Sequence, residues 1–557
     1  MDNRRLFLLF TLVAVLYLLW NAWENQFHPI RPPHAAAPVA ARVHNVTSVT
    51  PALPPPPGET PSTARPARVR SGPQERSAVV RVRTRLLRVR IARQGGGLVR
   101  VALLRYRKGL SPKSPPVAIL HARGPGRLTI ESGLEPLAPG VAPGADARYA
   151  SKAQRLRCLE GCTSLAVPLV WRGPDGLRVV KEYVFRPNSY VVQVRVILRN
   201  EGSRPWRVAP YVFLSGSHVH NDYSFFNPKH LVYRGLGYDQ RGTYRKISYH
   251  HLRRHPFERT LVSGWITHVD NYFLATVIPP PGQAWRYFAR ALGGERYEAG
   301  AVGSALTVSP HTTRQIGFRL YLGPKLQRRL AAVAPALRQT VDYGYMTILA
   351  EPLYDLLAFI ERLVGNWGWA IVLLTLLIKA LFFPLQRMSG TSMARMRALQ
   401  PRMRALQERY ADDKAKLTQA MMELYKKEKI NPATGCLPML VQFPIYIALY
   451  WVLLFSVELR HAPFVFWIRD LSAPDPYYIL PVLYALTLAG YQRLVPQMTT
   501  DRLQARLMMI VVPIAVAGIS LFMPAGLVVY WFVGGVFNIL QQWHINKIVG
   551  AAKTRRT

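Results

Sequence analysis

The residues able to do chemistry in this chain are few, and the best placed of them sit in apolar surroundings. Lys379 follows Thr375 by four residues within Trp367–Leu385, WGWAIVLLTLLIKALFFPL, so the two share one helical face. An ammonium at membrane depth costs about 2.5–3.5 kcal/mol on insertion scales, which asks for a reason. On an unbroken helix Lys379 lies ~18 Å from Trp367 and ~9 Å short of Leu385. One reading is a lysine that snorkels toward the nearer boundary and has no further task. The other is a buried, wetted cation that faces something acidic. Gln442, Asn538, Gln541 and Gln542 stand at comparable depth in other apolar runs. Such a set suits binding: weak polar groups around one point charge, in a groove hydrated from the inner side.

Catalytic chemistry finds little support. No apolar span contains the paired Asp of an intramembrane aspartyl protease, and His544 has no convincing Ser partner. HExxH, phosphate loops and dinucleotide fingerprints are absent. Cys158 and Cys162, in RCLEGC, would form a local disulfide if exported or half of a metal site, but no second pair completes a zinc set. Cys436 stands alone. The patch HVHNDYSFFN, with His218, His220, Asn221 and Asp222, lacks a recognisable ligand spacing and reads as a surface loop. The chain is therefore expected to be no enzyme, with no cofactor and no metal.

The elements that must position Lys379 follow from composition. Half of the 557 residues are apolar, and Lys and Arg outnumber Asp and Glu by 72 to 30, giving a formal charge of +42. The apolar residues are clumped into runs of membrane length, so an integral membrane protein with basic soluble parts fits better than a nucleic-acid binder. The runs are Leu6–Trp20 extended to Trp23, Trp367–Leu385, Leu437–Val457, Tyr478–Leu494, Leu507–Met523 and Leu527–Leu540 with its continuation. Six spans with both termini in the cytoplasm satisfy the charge bias of the short loops, and a long exported domain is exempt from that bias.

Between the first two runs the character changes twice. Residues 28–74 are rich in Pro, Ala, Ser and Arg, as in PALPPPPGETP, and read as an extended linker. From Ser77 to Tyr321, segments such as VVRVRTRLLRVRIA and YVVQVRVILRN alternate apolar with polar residues. Without helical periodicity between them they predict an antiparallel sandwich, with the arginines on its wet face. Asp342–Val364 spaces its apolar residues as an amphipathic, interfacial helix.

The loop Arg387–Asn431 predicts a cytoplasmic helical hairpin, divided near Ala411-Asp412-Asp413, with Pro401 kinking or restarting its first arm. Met396, Leu399, Met403 and Leu406 face Leu417, Met421, Leu424 and Tyr425, and Arg395, Arg397, Arg402, Arg404, Lys426, Lys427 and Lys429 make it basic. It reads both as an ordinary positive-inside loop and as a Met-rich surface for varied apolar or anionic partners.

The run GNWGWAIVLLTLLIKALFFPL, followed by TSMARMRALQP, DDKAKLTQAMMELYKKEKINPATGCLPMLVQFPIYIALY, VELRHAPFVFWIRDLSAPDPYYILP and PAGLVVYW, resembles the YidC-type membrane protein insertases. The match is collinear from about Gly365 to the C-terminus, and the layout of the front half fits the Gram-negative form of that family. The resemblance implies a polytopic α-helical membrane protein with five core helices around a hydrophilic, cytoplasm-open groove, and a periplasmic antiparallel β-sandwich. It places the family's groove arginine at Lys379 and a groove threonine at Thr375, with nascent-chain contacts at Tyr530 and Trp531. Lysine keeps the charge but loses the planar fork that grips a carboxylate.

On this reading residues 1–25 are a signal anchor, 26–76 a linker, 77–341 the periplasmic domain and 342–365 the interfacial helix. Residues 366–550 are the insertase core, with the hairpin at 390–430, and 551–557 a basic tail. The groove set is Lys379, Thr375, Gln442, Tyr530, Trp531 and Asn538. The hairpin contact set is Arg395, Arg397, Met403, Arg404, Met421 and Lys426. The implied partners are nascent inner-membrane proteins, the Sec translocon (SecYEG with SecDF), the ribosome and signal recognition particle receptor pathway, and anionic phospholipids, without nucleic-acid specificity. A secondary transporter would instead show internal repeats and coupling carboxylates, and an envelope scaffold with a carbohydrate-binding-like domain would place function in the sandwich.

Overall fold

The computed structural model describes residues 79–137, 140–218, 233–410, 413–428, 433–495 and 502–554. The expected signal anchor and linker lie outside the described residues, as do His220, Asn221 and Asp222.

Alternation along the first strands sets the inside of the β domain. In Val79–Thr84 and Leu87–Ala92, Val80, Val82, Val89 and Ile91 are buried while Arg83, Arg88 and Arg90 are exposed. Two sheets result. An 11-stranded sheet is built around Leu128–Pro136 and Trp206–Ser217, with Ile130 opposite Leu214. An 8-stranded sheet is built around Val191–Asn200 and Thr312–Pro324, with Val194 opposite Phe318. Their inner residues form one core with the apolar faces of several helices. The pairing departs from the expected antiparallel pattern once: Arg155–Cys158 runs parallel to Val79–Thr84. A parallel partner needs a long connection, and the intervening strands supply it. Cys158 and Cys162 are joined in a disulfide across the turn that follows this strand.

The helices beyond the sandwich are numbered from α1, Thr347–Val364. The expected start at Asp342 is replaced by a turn, because Asp342 Oδ1 accepts the Gly344 amide at 2.8 Å and Gly344 takes φ +59°. Next come α2, Trp367–Leu381, and α3, Phe383–Ala398. Asn366 caps α2, its side chain accepting the amides of Gly368 at 2.8 Å and Trp369 at 3.2 Å.

The single span expected over Trp367–Leu385 is broken. α2 stops at Leu381, and the chain bends by 59° into Phe383–Met393. Pro384 accounts for the break, since it has no amide to continue the ladder and its ring collides with the carbonyl of Ala380. Lys379 therefore lies in the last turn of its helix, where a cation also meets the negative end of the helix dipole.

α4, Gln400–Arg409, and α5, Lys414–Lys427, form the hairpin, which clusters as a compact unit of its own over Met388–Cys436. Pro401 restarts the first arm, and Asp413 caps the second by accepting the amides of Ala415 and Lys416. Met396 and Leu399 are buried against Met403, Leu424 and Tyr425, so the seam runs as its spacing predicts.

The remaining helices are α6, Ala433–Phe455, α7, Ile479–Leu494, α8, Arg502–Ser520, and α9, Ala525–Thr554. Among the described residues, Ala525–Lys547 alone is a single helix long and apolar enough to cross a membrane. The bent pair Trp367–Leu381 with Phe383–Met393 meets that test if counted as one span, while Leu440–Phe455 and Met509–Ser520 are shorter apolar helices. Of the six spans expected from the apolar runs, the first lies outside the described residues, and among the described residues one unbroken helix and one bent pair reach membrane length.

Candidate functional site

The site is assembled by α9 packing against α2. Lys379 Nζ donates to Asn538 Oδ1 at 2.9 Å, across 159 residues of sequence. Lys379 is only 1% exposed, and Thr375, one turn earlier, is fully buried with its hydroxyl donating to Ile371 O at 2.6 Å. The close approach depends on Gly534. A Cβ placed there would lie 3.4 Å from Lys379 Cε and 3.8 Å from Thr375 Cγ2. Its neighbour Gly535 does the same for α7, since a Cβ there would come within 2.6 Å of Thr487 Oγ1. Reasoning from sequence singled out neither glycine. The Gly534-Gly535 pair inside an apolar helix is the signal that could have revealed them.

Lys379 does not face an acid. Among the described residues it has no ion-pair partner, and its one hydrogen-bond acceptor is a neutral amide. Of the two readings of Lys379, the cation that faces something acidic thus has no acid of this chain opposite it among the described residues. Geometry supplies the reason: the facing segment, GGVFNILQQ, carries only amides and apolar groups.

The other expected groove residues fall into a second cluster, between α6, α7 and α9. Gln442 is buried, and its Oε1 accepts from Gln386 Nε2 at 3.3 Å. Tyr530 is 1% exposed, its ring edge-on to Tyr446 with centroids 5.5 Å apart. Gln442 Nε2 and Tyr530 Oη are both buried without a hydrogen-bond partner among the described residues. Trp531 is half-buried and stacks on Tyr484 at 5.5 Å. Toward the far end of α9, Gln542 Nε2 donates to Asn546, whose own amide donates to Leu494 O at 3.0 Å and so satisfies the end of α7.

At the opposite ends of the helices, the loop from Ser456 to Tyr478 is held by two carboxylates. Asp475 accepts from Trp467 Nε1 at 3.0 Å, Tyr477 N at 3.1 Å and Leu480 N at 2.8 Å. Asp470 accepts from His461 N, Ser472 N and Ser472 Oγ. Glu458 accepts from Tyr354 Oη at 2.7 Å, tying α1 to this loop.

In the hairpin, Met403 and Met421 are half-buried and Lys426 is exposed on the outside of the seam. Arg402 pairs with Glu428 at 2.6 Å. The backbone at Arg395, Arg397 and Arg404 is helical, and their side chains lie outside the described set. No group of His, Cys, Asp and Glu suited to a metal occurs among the described residues.

Comparison with known proteins assigns this combination of an apolar helical core, a basic hairpin and a large sandwich to one family. The family model of the 60Kd inner membrane protein matches residues 359–552, and that of the YidC periplasmic domain matches residues 79–356. The membrane protein insertase YidC of Nitrosococcus oceani is 39% identical over 552 residues, covering 98% of this chain and 99% of that protein. The insertase of the same name from Alkalilimnicola ehrlichii is 40% identical, covering 98% and 95%. A crystal structure of an active YidC insertase with its first transmembrane domain resolved covers 85% of this chain and 92% of that one, at 19% identity and a TM-score of 0.37. The chain belongs to the YidC family of membrane protein insertases.

Proposed function

We propose that this chain inserts membrane proteins into the inner membrane and helps them fold, with the Lys379–Asn538–Thr375 cluster as the point that receives the polar segment of the client. The observation that carries this reading is a buried ammonium held by a neutral amide. Such a cation has kept its charge unspent. A client carboxylate near Lys379 replaces a dipole with a full opposite charge, and in a low-dielectric site that exchange is strongly favourable. The client's apolar helix supplies the rest, since moving ~20 apolar residues into lipid returns about 25 cal/mol per Å² of surface removed from water. No bound energy source is required.

The topology that goes with this reading has six spans, both termini in the cytoplasm and the sandwich in the periplasm. The basic hairpin meets the ribosome, the receptor of the signal recognition particle or the emerging client, and the Sec translocon, SecYEG with SecDF, works beside the core on larger clients. Arg395, Arg397, Arg404 and Lys426 supply charge, and Met403 and Met421 supply adaptable apolar surface. Tyr530 and Trp531 contact the client's apolar helix as it leaves, Tyr530 after its packing against Tyr446 opens.

Reconstituted vesicles test the central point. Lys379→Ala is expected to lower the insertion rate of a single-span client with an acidic tail about tenfold, while Lys379→Arg stays within about threefold of the parent. Full-rate insertion by the Ala variant sinks the assignment.

A further inference from the structure

A second buried lysine stands far from Lys379, where the sandwich meets the helices. A cavity of about 130 Å³ is lined there by Lys246, Lys325, Asp342, Tyr345, Trp451 and Phe455, among others. Lys246 and Lys325 come from the sandwich, Asp342 and Tyr345 from the turn before α1, and Trp451 and Phe455 from the last two turns of α6.

The charges around this cavity do not cancel. Asp342 is fully engaged: one oxygen takes the Gly344 amide and the other pairs with Lys246. Asp270 is paired with Arg234 at 3.0 Å. Lys325 is left over. It is 4% exposed, and among the described residues its ammonium has no hydrogen-bond or ion-pair partner. Trp451 Nε1 is likewise a buried donor without an acceptor. Two donors, one of them a cation, line a small cavity whose one carboxylate, Asp342, is already engaged. Burial pushes Lys325 down to about 7, against the opposing pull of Asp270 and Asp342 and with Lys246 and Arg234 adding to the fall. A bound anion reverses that shift and keeps the ammonium charged.

The surroundings indicate where the anion comes from. Tyr345 is 58% exposed, and Ile348, at the start of α1, is 86% exposed, with Phe359 and Leu363 exposed further along the same helix. Apolar side chains left open next to Tyr and Trp mark the boundary between water and lipid. The cavity is close in size to the ~150 Å³ cavity that takes one benzene, so it admits a single small group and excludes a stretch of polypeptide.

We infer that this cavity is a headgroup site for an anionic phospholipid, in which the phosphodiester accepts from Lys325 Nζ and Trp451 Nε1 while its acyl chains lie along α1. The inference rests on the membrane topology proposed above. Counting Lys246, Lys325 and Arg234 against Asp342 and Asp270 leaves one positive charge, which matches the single negative charge of phosphatidylglycerol. The ammonium group of phosphatidylcholine would meet that surplus unfavourably.

The test is native mass spectrometry of the full-length protein in detergent, titrated with phosphatidylglycerol, phosphatidylcholine or soluble glycerol-1-phosphate. Phosphatidylglycerol is expected to be retained at least fivefold better than phosphatidylcholine. Lys325→Met should weaken it about tenfold, and Trp451→Phe, which removes the indole N–H with part of the ring system and keeps one aromatic ring in place, about threefold. Retention by the parent should fall from pH 6.5 to pH 9, and that fall should vanish in Lys325→Met. Equal retention of phosphatidylglycerol by the parent and Trp451→Phe, or no preference over phosphatidylcholine, overturns the inference. Displacement of the lipid by glycerol-1-phosphate at matching concentration assigns the cavity to a free phosphate and overturns the lipid assignment. Client insertion measured on the same variants separates the two proposals, since lipid loss with insertion intact leaves the insertase reading standing.

Discussion

At the scale of single residues, buried lysines recur, and each is handled differently. Lys379 has an amide, and Lys325 has nothing within the described residues. Lys181 has two backbone carbonyls, Gly95 O at 2.9 Å and Ser132 O at 2.6 Å, and the Tyr149 ring at 4.9 Å. It crosses the sandwich, since it stands on Leu177–Phe185 of one sheet and reaches Leu128–Pro136 of the other. Burial nonetheless pushes it down to about 7, with the Glu131 carboxylate opposing. With its folded-state value pushed down to about 7 and an unfolded-chain value near 10.4, this group's contribution to stability is smallest below pH 7 and rises above it. Thermal unfolding of the full-length protein in detergent should show a gain of roughly 4 kcal/mol between pH 7 and 9, about half from Lys181 and half from Lys325 in the same window. Lys181→Met should reduce that slope by about half. A steeper slope in the variant contradicts the assignment.

The glycines of α9 give a second test at this scale. Gly535→Ala forces a Cβ to within 2.6 Å of Thr487 Oγ1 and should cost about 1–3 kcal/mol through overpacking. Adding Thr487→Ala should recover most of it, read as the half-life of the protein in detergent at fixed temperature. No recovery in the double variant means that the contact does not control the packing of α7 on α9.

At the scale of elements, the loop from Ser456 to Tyr478 is the part least expected. Asp475 gathers an indole, a turn amide and the Leu480 amide near the start of α7, and Tyr478 adopts φ +58° between them. Hydrogen bonds to a charged group contribute about 1.5–3 kcal/mol each when one partner is removed. Asp475→Ala should therefore expose the loop to proteolysis after Trp467 and Tyr477 several-fold faster, while Asp475→Asn keeps part of the protection. Equal digestion rates for parent and Ala variant refute the hub.

Much of the surrounding architecture was legible. Alternation in VVRVRTRLLRVRIA marks the sandwich strands, Asp413 the second hairpin arm, and the Met and Leu spacing its seam. The carboxylate hub was not, because the aromatic, amphipathic run APFVFWIRDL says nothing of Asp470 and Asp475 as acceptors, and the order comes from contacts between residues that no spacing rule links. The break before Pro384 was visible in the sequence but was outweighed by the apolar run around it. Lys379, Thr375 and Asn538 were each legible as polar residues in apolar helices, but their grouping apart from Gln442 and Tyr530 depends on which faces of α9 meet α2 and α6.

At the scale of the whole molecule, the sandwich and the helical core share one hydrophobic core through α1 and α6. Arg460, in the loop between α6 and α7, reaches the sandwich directly. Its guanidinium donates to Arg107 O at 2.6 Å and lies 5.9 Å over the Phe273 ring. Arg460→Ala should leave both parts folded but loosen the junction, seen as faster chymotrypsin cleavage at Tyr343 and Tyr345, with client insertion within about twofold of the parent. Unchanged cleavage would assign the junction to α1 and Tyr354–Glu458 instead.

The amide opposite Lys379 carries a consequence for timing. An ammonium locked to a resident carboxylate would already be neutralised, and an ammonium with no companion would hold a client's acid until something displaced it. Asn538 offers a middle course: it yields to a carboxylate and can take the ammonium back when the carboxylate moves on. On the proposed insertion route, the dwell time of each client at this point would be set by the difference between an acid and an amide, a modest gap that suits a station on a route rather than a destination.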